Sequence, residues 1–494
     1  MADVTAPAEQ YDLIVVGAGT AGIPCAVAAA DEGARVLLVE KDSRIGGSLY
    51  VTGGHMAAGG TSLQRERGIS DSPAEHLEDI RRISGGSARE DLTNLLVDNA
   101  VSTIEWLAEH GFAFASDSPR IIYGHEPYRI PRTHYGRDEG LSILEVFRPE
   151  LERAQRERDL ILWLSCTVTE LITADDGAVA GVRLFRQGQE SAAFAPAVVL
   201  ATGGYGSDPD LFAELDEAPL VSAASPTSTG DGIYLGRAVG AGLQGQGTYL
   251  PTFGGLPDPR RPGRSNWSDR QMLTSERAPW EIYVDESGKR WVAEDEESID
   301  AKERALTKLA NMTFWTVFDD TALAQASGGT RQMVVGKEPD QIRAWMNVRP
   351  GFHSSDTLTD LANLAGINVD GLVATVSTYN EAVAAGRDAE FGRVHLPAQI
   401  KDPPFYAIRN HAITLVTFQG LDINDSFEVL GEDKQAIRGL YAVGEVIGAG
   451  ATCGNSFCSG MLVTPAITFG RLLGRRIGRS VGRSRVVPRR DPSQ

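Results

Sequence analysis

"YDLIVVGAGTAGIPCAVAAADEGARVLLVEK" (residues 11–41) carries the reading that decides the fold. Its apolar run from Leu13 to Val16 has strand length, and Gly17, Gly19 and Gly22 follow in GxGxxG spacing. Small apolar residues suited to a helix come next, and a second strand, Arg35 to Val39, ends at Glu40. Strand, glycine turn, helix and strand in this order form a complete βαβ unit, which predicts a parallel sheet and a bound dinucleotide. Gly17 makes the tight turn, Gly19 lets the backbone approach a pyrophosphate, and Gly22 lets helix and strand pack closely, with the phosphates at the positive end of the helix. Thr20 and Ala21 lie within this turn. Glu40 is placed to accept hydrogen bonds from a ribose, and Lys41 follows it. Pro24 is tolerated early in the helix because first-turn amides have no intrahelical partner.

The run "EKDSRIGGSLYVTGGHMAAGG" (residues 40–60) follows the acid directly. Its pairs Gly46/Gly47 and Gly53/Gly54 imply backbone folded tightly against something large. The run resembles the second phosphate-and-flavin contact of FAD enzymes, which makes FAD the expected dinucleotide and Ser48 one of its contacts; a surface glycine loop is the bland alternative. Further on, "LWLSCTVTELITADDGAVAGVRLF" (162–185) reads as two strands around the turn ADDG, with Val168 a further cofactor candidate. "APAVVLATGGYGSD" (195–208) reads as a buried strand ending in a glycine turn at Ala201, Thr202 and Gly203. "TSTGDGIYLGRAVGAGL" (227–243) gives another glycine turn, with Asp231, before a helix.

With 494 residues, 42% of them hydrophobic, the chain is long enough for two or three domains with sizeable cores. A formal charge of -19 argues against nucleic acid or an anionic membrane as partner, since both require clustered positive charge. The exception is an arginine-rich C-terminal region, of which 481–494 is expected to be a flexible basic tail. No signal-peptide pattern and no run of membrane-spanning length is read in the sequence. Cys25, Cys166, Cys453 and Cys458 are too few and scattered for a disulfide framework, so a cytoplasmic setting is expected.

Together these landmarks resemble the FAD-dependent fumarate reductase and succinate dehydrogenase flavoprotein superfamily, and more narrowly its 3-ketosteroid dehydrogenase branch. The resemblance extends through "IYVDESGKRWVAED" (282–295), "GLYAVGEVIGAG" (439–450) and "SGMLVTPAITFGRLLG" (459–474). It implies an α/β fold: a Rossmann-like FAD domain, parallel sheet with helices, assembled from residues 1–251 and 404–480. An inserted α+β cap, 252–403, would bear on the substrate, with the proline-marked "KDPPFYAIRN" as the return. Glu445, after Gly444, would hold the ribityl chain. Gly460, Met461 and Leu462 would open a helix aimed at the pyrimidine end of the flavin, where negative charge builds on reduction. The linking histidine of covalent relatives is missing from "GGSLYVTGG", so the FAD is expected to be non-covalent.

Departures narrow the substrate. The arginine that fumarate reductases carry four residues after the glutamate of their cap motif falls here on Ser298, and their substrate histidine falls at about Val416. Dicarboxylates are therefore disfavoured. Ketosteroid Δ1 enzymes place a tyrosine where Ser298 stands. Members that act at Δ4 show a tyrosine-x-serine-glycine run where this chain has Phe457-Cys458-Ser459-Gly460.

The implied chemistry is transfer of a hydrogen pair across a carbon–carbon bond next to a carbonyl: a base takes the α-proton, the β-hydrogen leaves as hydride to flavin N5, and donors hold the enolate oxygen. The Ser459 hydroxyl and Gly460 amide are candidates for that oxygen site; capping a flavin-facing helix is their bland reading. The segment "IIYGHEPYRIPRTHYGRDEG" (121–140) concentrates Tyr123, His125, Tyr128, Arg132, His134 and Tyr135, with His134 and Tyr135 carried forward as candidates for the base and a plain surface loop the alternative. Tyr50 is a candidate by adjacency to the flavin loop. Trp280, Phe418 and Phe457 are candidate pocket walls. No metal site is expected around Cys453 and Cys458, which lack further cysteines nearby. The expected partners are a cyclic ketone and an external electron acceptor, namely a quinone, an electron-transfer protein or O₂. The alternatives are an ene-reductase running the reaction backward and a flavoprotein using FAD without redox turnover.

Overall fold

A computed structural model describes residues 9–122, 126–256, 258–265, 269–271, 277–327 and 331–485. Tyr123, His125 and the basic tail beyond 485 lie outside the described residues. The quoted βαβ unit forms as the sequence dictates. Leu13–Val16 pairs in parallel with Val36–Val39, Leu13 opposite Val36 and Val16 opposite Val39. All eight residues are buried, which explains why both strands read as unbroken apolar runs: each face of a parallel sheet is covered. The sheet continues in the order Glu428–Leu430, Ala436–Ala442, Val198–Leu200, Leu13–Val16, Val36–Val39, Leu160–Trp163. The strand ending at "ATGG" therefore lies directly beside the strand ending at "GAG".

The helix Gly22–Asp31 packs against a long closing helix, Val463–Arg485. Three glycines make the approach possible. A Cβ at Gly470 would fall 2.3 Å from the Ala21 carbonyl oxygen, one at Gly474 2.2 Å from that of Cys25, and one at Gly478 2.8 Å from that of Ala29. Cys25 is sealed in this seam, where burial pushes its thiol up to about 12. Residues from both ends of the chain thus share one core.

Cys166–Thr173 and Val179–Arg186 form the expected hairpin around ADDG, and Gln189–Phe194 and Glu9–Gln10 extend it into a four-stranded sheet. A third layer is antiparallel: Thr252–Gly255, Phe405–Ile413, Thr313–Asp319 and Ile282–Val284 in order, with Phe352–Ser355 also on Phe405–Ile413. The expected boundary at 403 falls just before Phe405–Ile413, which pairs within this sheet. Apolar clusters around Val317, Phe318 and Phe314 give this unit cores separate from the main one. The "GKRWVAED" motif serves it structurally: Arg290 donates to both Glu294 carboxylate oxygens (2.8 and 2.6 Å), and Arg393 donates to the same group at 3.1 Å.

Candidate active site

One cavity of about 1250 Å³ runs from the glycine turns to the segment before the closing helix. At its first end Gly17 takes φ +106°, and a Cβ there would lie 2.4 Å from the Ala201 carbonyl oxygen. At Gly22 a Cβ would fall 1.8 Å from the Gly17 carbonyl oxygen. A Cβ at Gly19 would meet no atom within 4 Å, so bare backbone opens into the cavity there. Gly47 faces it from the second glycine loop, its Cβ position 3.7 Å from the Gly19 Cα. Thr20, Ala21 and Ser48 complete this cradle.

Glu40 is fixed by two backbone amides, Ala18 donating to Oε2 and Asp42 to Oε1, both at 2.8 Å. Burial raises its pKa, and those amides oppose the rise. Lys41 Nζ is held by Asp231 Oδ2 at 2.8 Å. Val168, Ala201, Thr202, Gly203 and Gly53 also line the cavity, whereas Gly22, Gly46 and Gly54 lie behind it as close-packing positions. A Cβ on Gly54 would fall 2.7 Å from the Glu139 backbone.

The middle is closed by Gly444 and Glu445, whose Oε1 accepts from the Thr417 amide at 3.0 Å and hydroxyl at 3.1 Å. Burial raises the Glu445 pKa. The segment 457–463 then lines the wall, Gly460 taking φ +81° against strand Met56–Ala57; a Cβ there would lie 2.4 Å from the Ala57 amide nitrogen. Thr452 Oγ1 donates to the Met461 carbonyl at 2.8 Å, and Thr464 Oγ1 accepts from the Ala57 amide at 2.8 Å. Leu462 and Val463 bring the start of the closing helix to the cavity. Cys453 and Cys458 are both buried, with Cys453 pushed up to about 11 and Cys458 well above its ordinary value, so neither is a thiolate at neutral pH.

The lining also includes the apolar side chains of Ile69, Ile121, Ile122, Val335, Leu415, Val416 and Phe457. Ser459 lines the same cavity, its Oγ 3.3 Å from Thr133 Oγ1. Thr133–His134 pairs with Met56–Ala57 as a two-stranded ribbon.

Several expected residues sit outside the cavity lining. His134 is buried behind the ribbon, Nε2 2.9 Å from Thr61 Oγ1 and Nδ1 2.8 Å from the Arg132 carbonyl, and burial lowers it to about 4. Tyr135 lies under the Arg120 guanidinium, 4.8 Å from the ring centroid, and burial with the nearby Asp117 pushes its phenol up to about 12. Tyr50 packs beneath Arg44, 3.9 Å from its centroid. Trp280 belongs to an apolar cluster of the third layer and meets His395 edge-on, because its strand-leading position directs it into that unit's core. Phe418 is fully buried behind Phe457, at 5.1 Å between centroids.

Residues not singled out in the sequence also line the cavity: His55, Arg120, Glu139 and Arg270. His55 was reachable, since it directly follows the Gly53/Gly54 pair. Arg120 and Arg270 carried no motif. Tyr128, by contrast, lies in the titratable segment; its hydroxyl is buried beside Ser459, and burial raises its pKa while the Ser459 hydroxyl opposes the rise.

The model of the family described as "FAD binding domain" matches residues 12–462, nearly the whole of this framework. The chain belongs to the FAD binding domain family. This flavoprotein is 29% identical over 477 residues to the probable fumarate reductase of Shewanella frigidimarina, covering 94% of this chain and 74% of the relative. Among solved structures, the open conformation of a flavocytochrome c3 fumarate reductase matches with TM-score 0.74 and 27% identity, covering 96% of this chain and 79% of that one. The 3-ketosteroid Δ1-dehydrogenase of Sterolibacterium denitrificans, in complex with 1,4-androstadiene-3,17-dione, shares the fold at TM-score 0.76 and 22% identity, covering 96% and 100%. The flavoprotein is an FAD-dependent oxidoreductase of the fumarate reductase type, a class that interconverts carbon–carbon single and double bonds. Its residues fit that cofactor. The bare backbone at Gly19 leaves room for a pyrophosphate, and the Thr202 hydroxyl, buried in the lining, has no hydrogen-bond partner among the described residues. No helix among the described residues is long and apolar enough to cross a membrane.

Proposed function

We propose that the flavoprotein introduces a carbon–carbon double bond α,β to the carbonyl of a cyclic, mostly apolar ketone of ketosteroid or cyclohexanone type. The observation that carries this reading is the run of apolar residues, Ile69, Ile121, Ile122, Leu415 and Val416, in the lining that also holds Ser459, with Val416 where the resemblance calls for a dicarboxylate-binding histidine. Bound FAD supplies the acceptor for the β-hydrogen and its electron pair. The Ser459 hydroxyl and Gly460 amide would donate to the carbonyl oxygen as negative charge develops on it, which acidifies the α-carbon. The buried Tyr128 hydroxyl beside Ser459 would orient that serine. Ile121, Ile122, Leu415 and Val416 would exclude water and hold the ring by apolar contact. Electrons would then leave to a quinone, an electron-transfer protein or O₂.

The relatives favour a second reading: the probable fumarate reductase is named for reduction. An ene-reductase would run the same chemistry backward in this cavity. Anaerobic mixing separates the two. Bleaching of the oxidised flavin band by saturated cyclic ketones supports desaturation, and reoxidation of the reduced protein by the matching enones alone supports reduction. Silence toward both would sink the ketone reading.

A further inference from the structure

We propose that His55 is the catalytic base that removes the α-proton, an inference that rests on the ketone reading above. Its place follows from the ribbon. Met56 opposes His134 and Ala57 opposes Thr133, so continuing the antiparallel register sets His55 opposite Tyr135. The rings meet edge to face at 5.8 Å between centroids. At the ribbon's other end Thr133 meets Ser459, and Gly460 packs on Met56 and Ala57. The imidazole thus extends from one end of a short ribbon whose other residues contact the expected carbonyl-binding pair.

His55 lines the cavity, and no described residue hydrogen-bonds to its ring nitrogens. His134, its neighbour on the same ribbon, differs: it is engaged at both nitrogens. A histidine kept for structure is satisfied by the protein, whereas a base must present a lone pair to its substrate. The charged and titratable groups facing it are Arg120, Tyr135 and, beyond them, Asp117, with Glu139 on the same cavity wall. Burial, reinforced by the Arg120 charge, lowers His55 to about 4, which keeps the imidazole neutral at physiological pH. Tyr135, placed behind the ring, is a positioning residue. In the step, the α-carbon–hydrogen bond breaks and a nitrogen–hydrogen bond forms on His55. The carbon–carbon double bond forms as the β-hydrogen and its electron pair pass to the bound cofactor, so the substrate is oxidised, FAD is reduced, and one proton rests on His55.

The test uses holoenzyme in D₂O with two probes, cyclohexanone and 5α-androstane-3,17-dione, and reads deuterium entering the α-position by mass spectrometry alongside FAD content. The expected result is exchange by the wild type and a loss of roughly 100-fold or more in His55→Gln with FAD retained. Tyr135→Phe should keep most of the exchange and Tyr135→Ala should lose part of it. Exchange surviving in His55→Gln overturns the inference alone, while a wild type that exchanges neither probe overturns the ketone reading beneath it. An independent readout is carbethoxylation of the holoenzyme by diethyl pyrocarbonate. An open neutral imidazole is modified at a rate that stays flat between about pH 5 and 8. Failure to modify His55, or a rate that rises steeply through this range, overturns the assignment.

Discussion

Gly460 shows how much of the site rests on single backbone positions. Its φ of +81° and the 2.4 Å between a Cβ and the Ala57 nitrogen mean that Gly460→Ala must move either the ribbon or the segment before the closing helix. A cost of ~2 kcal/mol or more is expected, with loss of FAD, measured by thermal unfolding and the visible flavin band. Gly33→Ala is the control: it has φ +92° but open space within 4 Å, so only backbone strain of about 1 kcal/mol is expected and FAD should remain bound. At this scale the sequence was most legible where geometry is local. Gly17, Gly19, Gly22 and Glu40 announce their places in the turn by spacing along one βαβ unit. His55, Arg120 and Arg270 do not, because what brings them together is pairing between segments far apart in the chain. Trp280 misled for the opposite reason: adjacency to a motif says nothing about which core an aromatic ring enters.

Ser298, read in the sequence only as a departure from the relatives, turns out to cap an element. Its hydroxyl accepts from the Ala301 amide at 3.0 Å and so starts helix Ile299–Leu306. That helix meets the segment before the flavin-facing wall: Asp300 accepts a hydrogen bond from Ser456, and Arg304 donates to the Asn455 carbonyl at 2.6 Å. Burial raises Asp300 from 3.8 to about 6, with Glu126 adding to the rise and Ser456 opposing it. A carboxyl whose pKa is raised on folding contributes its full stability below the unfolded value and loses it as pH climbs through the folded one. The loss should therefore fall between about pH 4 and 6. Asp300→Asn is expected to stabilise the protein at pH 8, by on the order of 2 kcal/mol, with the gain vanishing toward pH 4 in paired thermal melts. No motif pointed to this junction, since burial of a surface-type residue depends on docking.

At the scale of the whole molecule, the α/β assignment with its parallel sheet was readable, because the strand–glycine turn–helix–strand pattern survives in any one sequence, whereas the α+β cap was expected only from the family resemblance. The extent of the inserted sheet was less so: Phe405–Ile413 carries its pairing past 403. The antiparallel layer has its own apolar clusters, so damage there should leave the core around the parallel sheet intact. Trp280→Ala is expected to lower stability by ~1–3 kcal/mol while ketone affinity stays unchanged, read by melting and flavin-perturbation titration. A weakened affinity at unchanged stability would place Trp280 at the substrate instead.

The glycine seam between Gly22–Asp31 and Val463–Arg485 has a consequence for how the protein is made. Gly470, Gly474 and Gly478 complete the packing of a helix synthesised more than four hundred residues earlier. On the ribosome, the nucleotide-binding unit must wait with its seam uncovered until the closing helix emerges. Loading of FAD is thus set late in biosynthesis, and stalled or shortened chains would leave the ribosome colourless.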